Sequence, residues 1–197
     1  MPENGGAGRV RPRVLGGRQV VLASGAVTVV LGVVLAVWPD KTLLVAELLL
    51  GSYLLLNGLV QVWTAIGAKF AVPLRALVLT SGAISLLLAA LCLYGGNSVL
   101  LLAMWLGIAW AVRGIIHATV AAWDTRLPAA GQHELLGLFT MVLGLAVLAL
   151  PFETLEALAL VGGGGLIVLG VLELLIAGVG AVVGIPGAAR VPATRGG

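Results

Sequence analysis

Apolar residues in this chain run in long continuous stretches, cut by short clusters of Pro, Gly, Asp, Asn, Ser and Thr. Six stretches, near residues 20–38, 42–66, 74–94, 98–122, 135–150 and 156–183, have the length a helix needs to cross about 30 Å of hydrocarbon. A transmembrane β-barrel is disfavoured, because its strands alternate apolar and polar residues and these runs do not. The pattern predicts an all-α, polytopic membrane protein with six transmembrane helices.

The stretches are organised as a repeat. Gly25, Gly32, Pro39, Thr42, Gly51, Gly58 and Gln61 are matched without a gap by Gly137, Gly144, Pro151, Thr154, Gly163, Gly170 and Glu173. A looser middle copy starts at Gly82, loses one residue at its turn, and then places Ser98 on Thr42, Gly107 on Gly51, Gly114 on Gly58 and His117 on Gln61. A period of about 56 residues sets the architecture before any single helix is considered. Each repeat reads as one helical hairpin, over about residues 20–66, 74–122 and 135–183, so residues 20–183 form the membrane domain.

The turns inside the repeats share a chemistry. Trp38-Pro39-Asp40-Lys41-Thr42 and Leu150-Pro151-Phe152-Glu153-Thr154 each stop a helix at proline and offer a threonine to cap the next; Tyr94-Gly95-Gly96-Asn97-Ser98 uses glycines and a serine. Loops this short make the joined helices antiparallel neighbours. Gly25 and Gly32, like Gly137 and Gly144, fall on one helix face, where small residues let backbones approach closely. Gly162 to Gly165 in the sixth span are a candidate hinge, or a site of close packing.

Composition agrees with a membrane residence. The chain is 60% hydrophobic and 10% charged, with a mean hydropathy of +1.16, whereas about a quarter of residues are charged in soluble domains. The excess positive charge is explained by topology and not by nucleic acid. Arg9, Arg11, Arg13, Arg18, Lys69, Arg75, Arg126, Arg190 and Arg195 flank the spans on one side, and only Lys41 lies in the turns on the other. This positive-inside asymmetry predicts cytoplasmic termini. Residues 1–19 and 184–197 are read as disordered cytoplasmic tails, because they are too polar and glycine-rich to fold alone. The first apolar run ends in Val37-Trp38-Pro39-Asp40 without a small-x-small cleavage site, so the first helix is expected to stay attached. Trp38, Trp63, Tyr94, Trp123 and Phe152 stand near span ends, as interfacial aromatics do. Cys92, the single cysteine, reads as a small core residue.

The candidates for chemistry are the polar residues inside the spans. Gln61, His117 and Glu173 share one position in the repeats, and Asn57, Arg113 and Leu169 share the position one turn earlier. A pseudo-three-fold arrangement places them in one polar layer, roughly 22 to 28 Å from the outer helix ends. One reading is a proton- or ion-sensitive cluster in which Arg113 pairs with Glu173 and His117 titrates. The other is structural: Arg113 snorkels to the headgroups, His117 lies at the interface, and Glu173 pairs with a neighbouring repeat. Asp40, Glu47, Glu153 and Glu156 form a candidate outer acidic face, against which stands the reading of Glu47 as an interfacial carboxylate near a helix N-terminus. Signatures of metal, nucleotide or nucleophilic chemistry are absent from the sequence, so no catalytic residue, cofactor or metal is expected.

The hairpin repeats, the Trp38-Pro39-x-x-Thr42 turn and the helix from Leu48 to Gln61 resemble the HdeD family of bacterial acid-resistance membrane proteins, which are built from a short membrane repeat of unknown function. The resemblance covers residues 20 to about 180; it is weakest in the middle repeat, where Tyr94 to Asn97 replace the proline turn. It implies a six-helix protein of the bacterial inner membrane, in some members linked to survival in acid. The expectation is a non-enzymatic membrane protein that helps the envelope tolerate acid or related stress. The alternative is a small transporter or channel that uses the polar layer. Expected partners are the lipid bilayer and either further copies of the chain or other membrane proteins, with no nucleic acid and no known small-molecule substrate.

Overall fold

A computed structural model of the protein describes residues 17–67, 72–123 and 130–183. Six α-helices account for nearly all of them: α1 (Gly17–Val37), α2 (Leu43–Gly67), α3 (Val72–Tyr94), α4 (Val99–Trp123), α5 (Ala130–Ala149) and α6 (Leu155–Val183). Each is long and apolar enough to cross a membrane, and there is no strand among the described residues. This is the architecture of a multi-pass membrane protein. Most of both tails, together with Lys69 and Arg126 of the linkers, lies outside the described residues.

Two helices begin at least three residues earlier than the apolar pattern predicts. Residues 17–19, placed in the tail from sequence, form the first turn of α1, and α5 starts at Ala130, ahead of residue 135. Apolar runs mark the hydrocarbon core, whereas helix geometry continues through polar residues such as Gln132, His133 and Glu134.

The turns behave as their chemistry requires. Thr42 Oγ1 accepts from the backbone N–H of Val45 at 3.3 Å, Ser98 Oγ from Leu101 at 3.2 Å, and Thr154 Oγ1 from Ala157 at 3.2 Å. Each cap satisfies a first-turn N–H that lacks a partner inside its helix. In the middle turn Gly95 and Gly96 have φ of +85° and +74°, a left-handed path that glycine takes at little cost and that replaces the proline stop of the other two repeats. Of the aromatics near the span ends, Phe152 is buried in the core, while Trp38, Trp63, Tyr94 and Trp123 are exposed.

The two helices of each repeat touch, but the closest packing joins different repeats: α2 to α3, α4 to α5, and α6 back to α1. All three interfaces use the same register. A Cβ on Gly32 would lie 2.7 Å from the carbonyl oxygen of Gly163, one on Gly170 would lie 2.8 Å from that of Gly25, and one on Gly137 would lie 2.5 Å from the amide nitrogen of Ala118. Gly58 and Gly82 meet in the corresponding way between α2 and α3. The glycine faces therefore close the three repeats into a ring.

Within the ring, α2, α4 and α6 supply the equivalent residues Leu54, Trp110 and Leu166, all buried. The outer helices turn Val30, Leu87 and Val142, again equivalent, toward the lipid at 59%, 60% and 59% exposure. The four-glycine run does not break α6, which is helical throughout. Gly163 packs on α1, and Gly165 lies beneath the ring of Trp110. Close packing is the role that the structure gives this run.

Candidate functional site

Asn57, Gln61, Arg113, His117 and Glu173, the five residues of the expected polar layer, line a single cavity of about 450 Å³. The cavity sits at the linker end of the bundle, near the start of α1 and α5 and toward the end of α2, α4 and α6. Val21 and Ser24 of α1, and His133 and Leu136 of α5, complete much of its wall. Pseudo-three-fold packing explains the convergence: residues at one repeat position lie at one depth and face the axis.

Arg113 pairs with Glu173, its Nη2 donating to Glu173 Oε1. Arg113 Nη1 also donates to the hydroxyl of Tyr53 at 3.3 Å, and that oxygen accepts from Trp110 Nε1 at 2.9 Å and Asn57 Nδ2 at 3.3 Å. Gln61 Nε2 extends the chain by donating to Asn57 Oδ1 at 2.9 Å. The arrangement satisfies most of a polar cluster that would otherwise be costly within the membrane. Gln61 Oε1 is the exception: it is buried and has no hydrogen-bond partner.

Tyr53 and Trp110 are the participants that sequence reasoning missed. Tyr53 occupies the repeat position held elsewhere by Ala109 and Gly165, and Trp110 fills the space left over Gly165. A large, small, small set at one repeat position was the available signal: three tyrosines cannot share one axis, but one can. Tyr53, Trp110, Leu50, Leu54 and Leu106 are each at most 1% exposed, and they close the bundle between the cavity and its turn end. His133 was missed because it precedes the apolar part of α5.

A family model described as a short repeat of unknown function (DUF308) matches residues 23–94. No curated protein and no solved structure matches the chain. The matched part runs from α1 to the end of α3, so it holds the first repeat and one complete inter-repeat interface, α2 against α3. It also holds Asn57, Gln61 and Tyr53; Arg113, His117 and Glu173 lie beyond it.

The expected outer acidic face is corrected by the structure. Asp40, Glu153 and Glu156 are exposed near the turns, but Glu47 is only 5% exposed and points inward. Its Oε1 accepts from the backbone N–H of Asn97 at 2.8 Å and from Asn97 Nδ2 at 3.1 Å. Asn97 Nδ2 also reaches the carbonyl of Cys92 at 3.1 Å, and Asn97 Oδ1 accepts from Trp105 Nε1 at 3.2 Å. Glu47 thus fastens the glycine turn of the second repeat to the first. Glu47→Ala is expected to cost about 2 kcal/mol, because it leaves the buried backbone N–H of Asn97 without its acceptor while Nδ2 keeps the Cys92 carbonyl, and Glu47→Gln less, because an acceptor remains. Denaturant unfolding in micelles measures the difference.

Proposed function

We propose that this chain is a non-enzymatic integral membrane protein of the HdeD type, resident in the bacterial inner membrane with both termini cytoplasmic, which contributes to tolerance of acid or envelope stress through its polar cavity. The repeat match, the six apolar helices and the basic residues flanking the linker side support the class, the location and the orientation. The observation that carries the role of the cavity is the Arg113–Glu173 pair, an arginine and a carboxylate kept inside an apolar bundle at the wall of a space that also meets His117 and His133. Ionisable groups at membrane depth are expensive and mark functional sites. Transport is the second reading, favoured by the shared cavity; the buried plug around Tyr53 and Trp110 stands against an open channel.

Survival of a deletion strain under acid challenge tests the reading, with wild type, Arg113→Ala or Glu173→Gln restored and membrane levels checked in parallel. Wild type is expected to rescue, and both variants are expected to lose rescue while still inserting. Full rescue by both variants makes the pair structural, and an absence of any defect in the deletion strain removes the stress role.

A further inference from the structure

Beside the polar cavity, on the lipid-facing side of α5 and α6, runs a second space of about 590 Å³ lined by Gln132, Leu135, Leu136, Phe139, Val168, Leu172 and Ile176. It is apolar apart from Gln132, and Leu135, Phe139 and Val168 are exposed at 68%, 42% and 44%. Leu136 and Ile176 line both spaces, so two side chains form the partition between them. Consecutive helices are joined most loosely here, because α5 and α6 each have their close partner elsewhere, in α4 and α1. Each space falls in the range of about 300–1,000 Å³ usual for small-molecule sites.

A polar chamber parted by only two side chains from an apolar groove at the lipid face matches an amphiphile once Leu136 and Ile176 turn aside. The charges select its head. Arg113 and Glu173 present one charge of each sign, so an anionic head would meet a carboxylate and a cationic head a guanidinium, whereas a zwitterion complements both. Arg113 has five N–H groups and spends one on Glu173 and one on Tyr53, which leaves donors for a phosphate. On the other side, the Glu173 carboxylate lines the cavity and keeps acceptor capacity beyond its pair with Arg113. A primary ammonium supplies three N–H donors and a quaternary one none.

We propose that the cavity and groove together bind one membrane phospholipid with a zwitterionic ethanolamine headgroup, its phosphate toward Arg113, its ammonium toward Glu173, and an acyl chain between α5 and α6. The site does not depend on the stress role, so lipid binding and acid survival fail separately.

Native mass spectrometry of the full chain, released from nanodiscs holding equal parts of ethanolamine, choline and glycerol phospholipids with identical acyl chains, tests the assignment. Retention of one ethanolamine lipid is expected, enriched about ten-fold over the choline lipid, which corresponds to one charge-assisted hydrogen bond. Glu173→Gln is expected to reduce that preference, and Leu136→Trp, which fills the partition without touching the charges, to lower retention of every lipid. Equal retention of the three headgroups by the wild type, or a preference for the glycerol lipid, overturns the proposal. So does an unchanged preference in a folded Glu173→Gln variant.

Discussion

Alanine at Gly32 or Gly137 is expected to lower the stability of the bundle by about 2–3 kcal/mol, and alanine at Gly164 to leave it unchanged or raise it by up to about 1 kcal/mol. The three glycines differ in what a methyl group would meet. At Gly32 it would press on the carbonyl oxygen of Gly163 and the amide nitrogen of Ile167, and at Gly137 on the amide nitrogen and Cα of Ala118. These are backbone atoms and have no rotamer by which to retreat, so α1 and α6, or α4 and α5, must separate. Separation forfeits dispersion contacts along the whole interface. At Gly164 nothing lies within 4 Å, and alanine only improves helix propensity. Denaturant unfolding of the three variants in micelles makes the comparison, and the Gly32 variant tests the closure of the ring directly, because α1 and α6 are the most distant helices in sequence.

Arg113→Met is the second large effect. It leaves Glu173, 8% exposed, without its cation and withdraws one donor from the Tyr53 hydroxyl. Removing one partner of a buried pair costs about 3–5 kcal/mol, and the lower end applies because the pair borders a cavity from which water can partly solvate the carboxylate. Arg113→Met combined with Glu173→Gln is expected to recover much of the loss, since no uncompensated charge then remains. The coupling is read from a double-mutant cycle in the same unfolding assay. Additive losses would show that the two side chains do not act as a pair.

What the sequence made legible follows from the range of each interaction. Caps at Thr42, Ser98 and Thr154, and the helices they start, depend on residues a few positions apart. The polar layer was legible at long range because the repeat supplies a register, which put Gln61, His117 and Glu173 at one depth, and opposite charges on Arg113 and Glu173 then named the pair. Which helices pack most closely was not legible. A glycine face states that a backbone comes near, and every repeat has one, so the pairing of α6 with α1 is decided by the whole ring. Glu47 was misread for a similar reason: its partner Asn97 is fifty positions away, in the turn where the middle repeat departs from the other two. Tyr53 departs from the repeat as well, and it is the oxygen on which Trp110, Arg113 and Asn57 converge.

The central claim is that the polar residues face a cavity at the linker end of the bundle, closed toward the turns. The direct measurement is labelling of His117→Cys in a Cys92→Ser background by a charged, membrane-impermeant thiol reagent, applied to inverted and to right-side-out vesicles, with lipid-facing Val30→Cys as the control. Labelling of position 117 in inverted vesicles alone, with position 30 unreactive, is the result expected. Labelling from the turn side would contradict the closure at Tyr53 and Trp110, and no labelling from either side would show that the layer is dry.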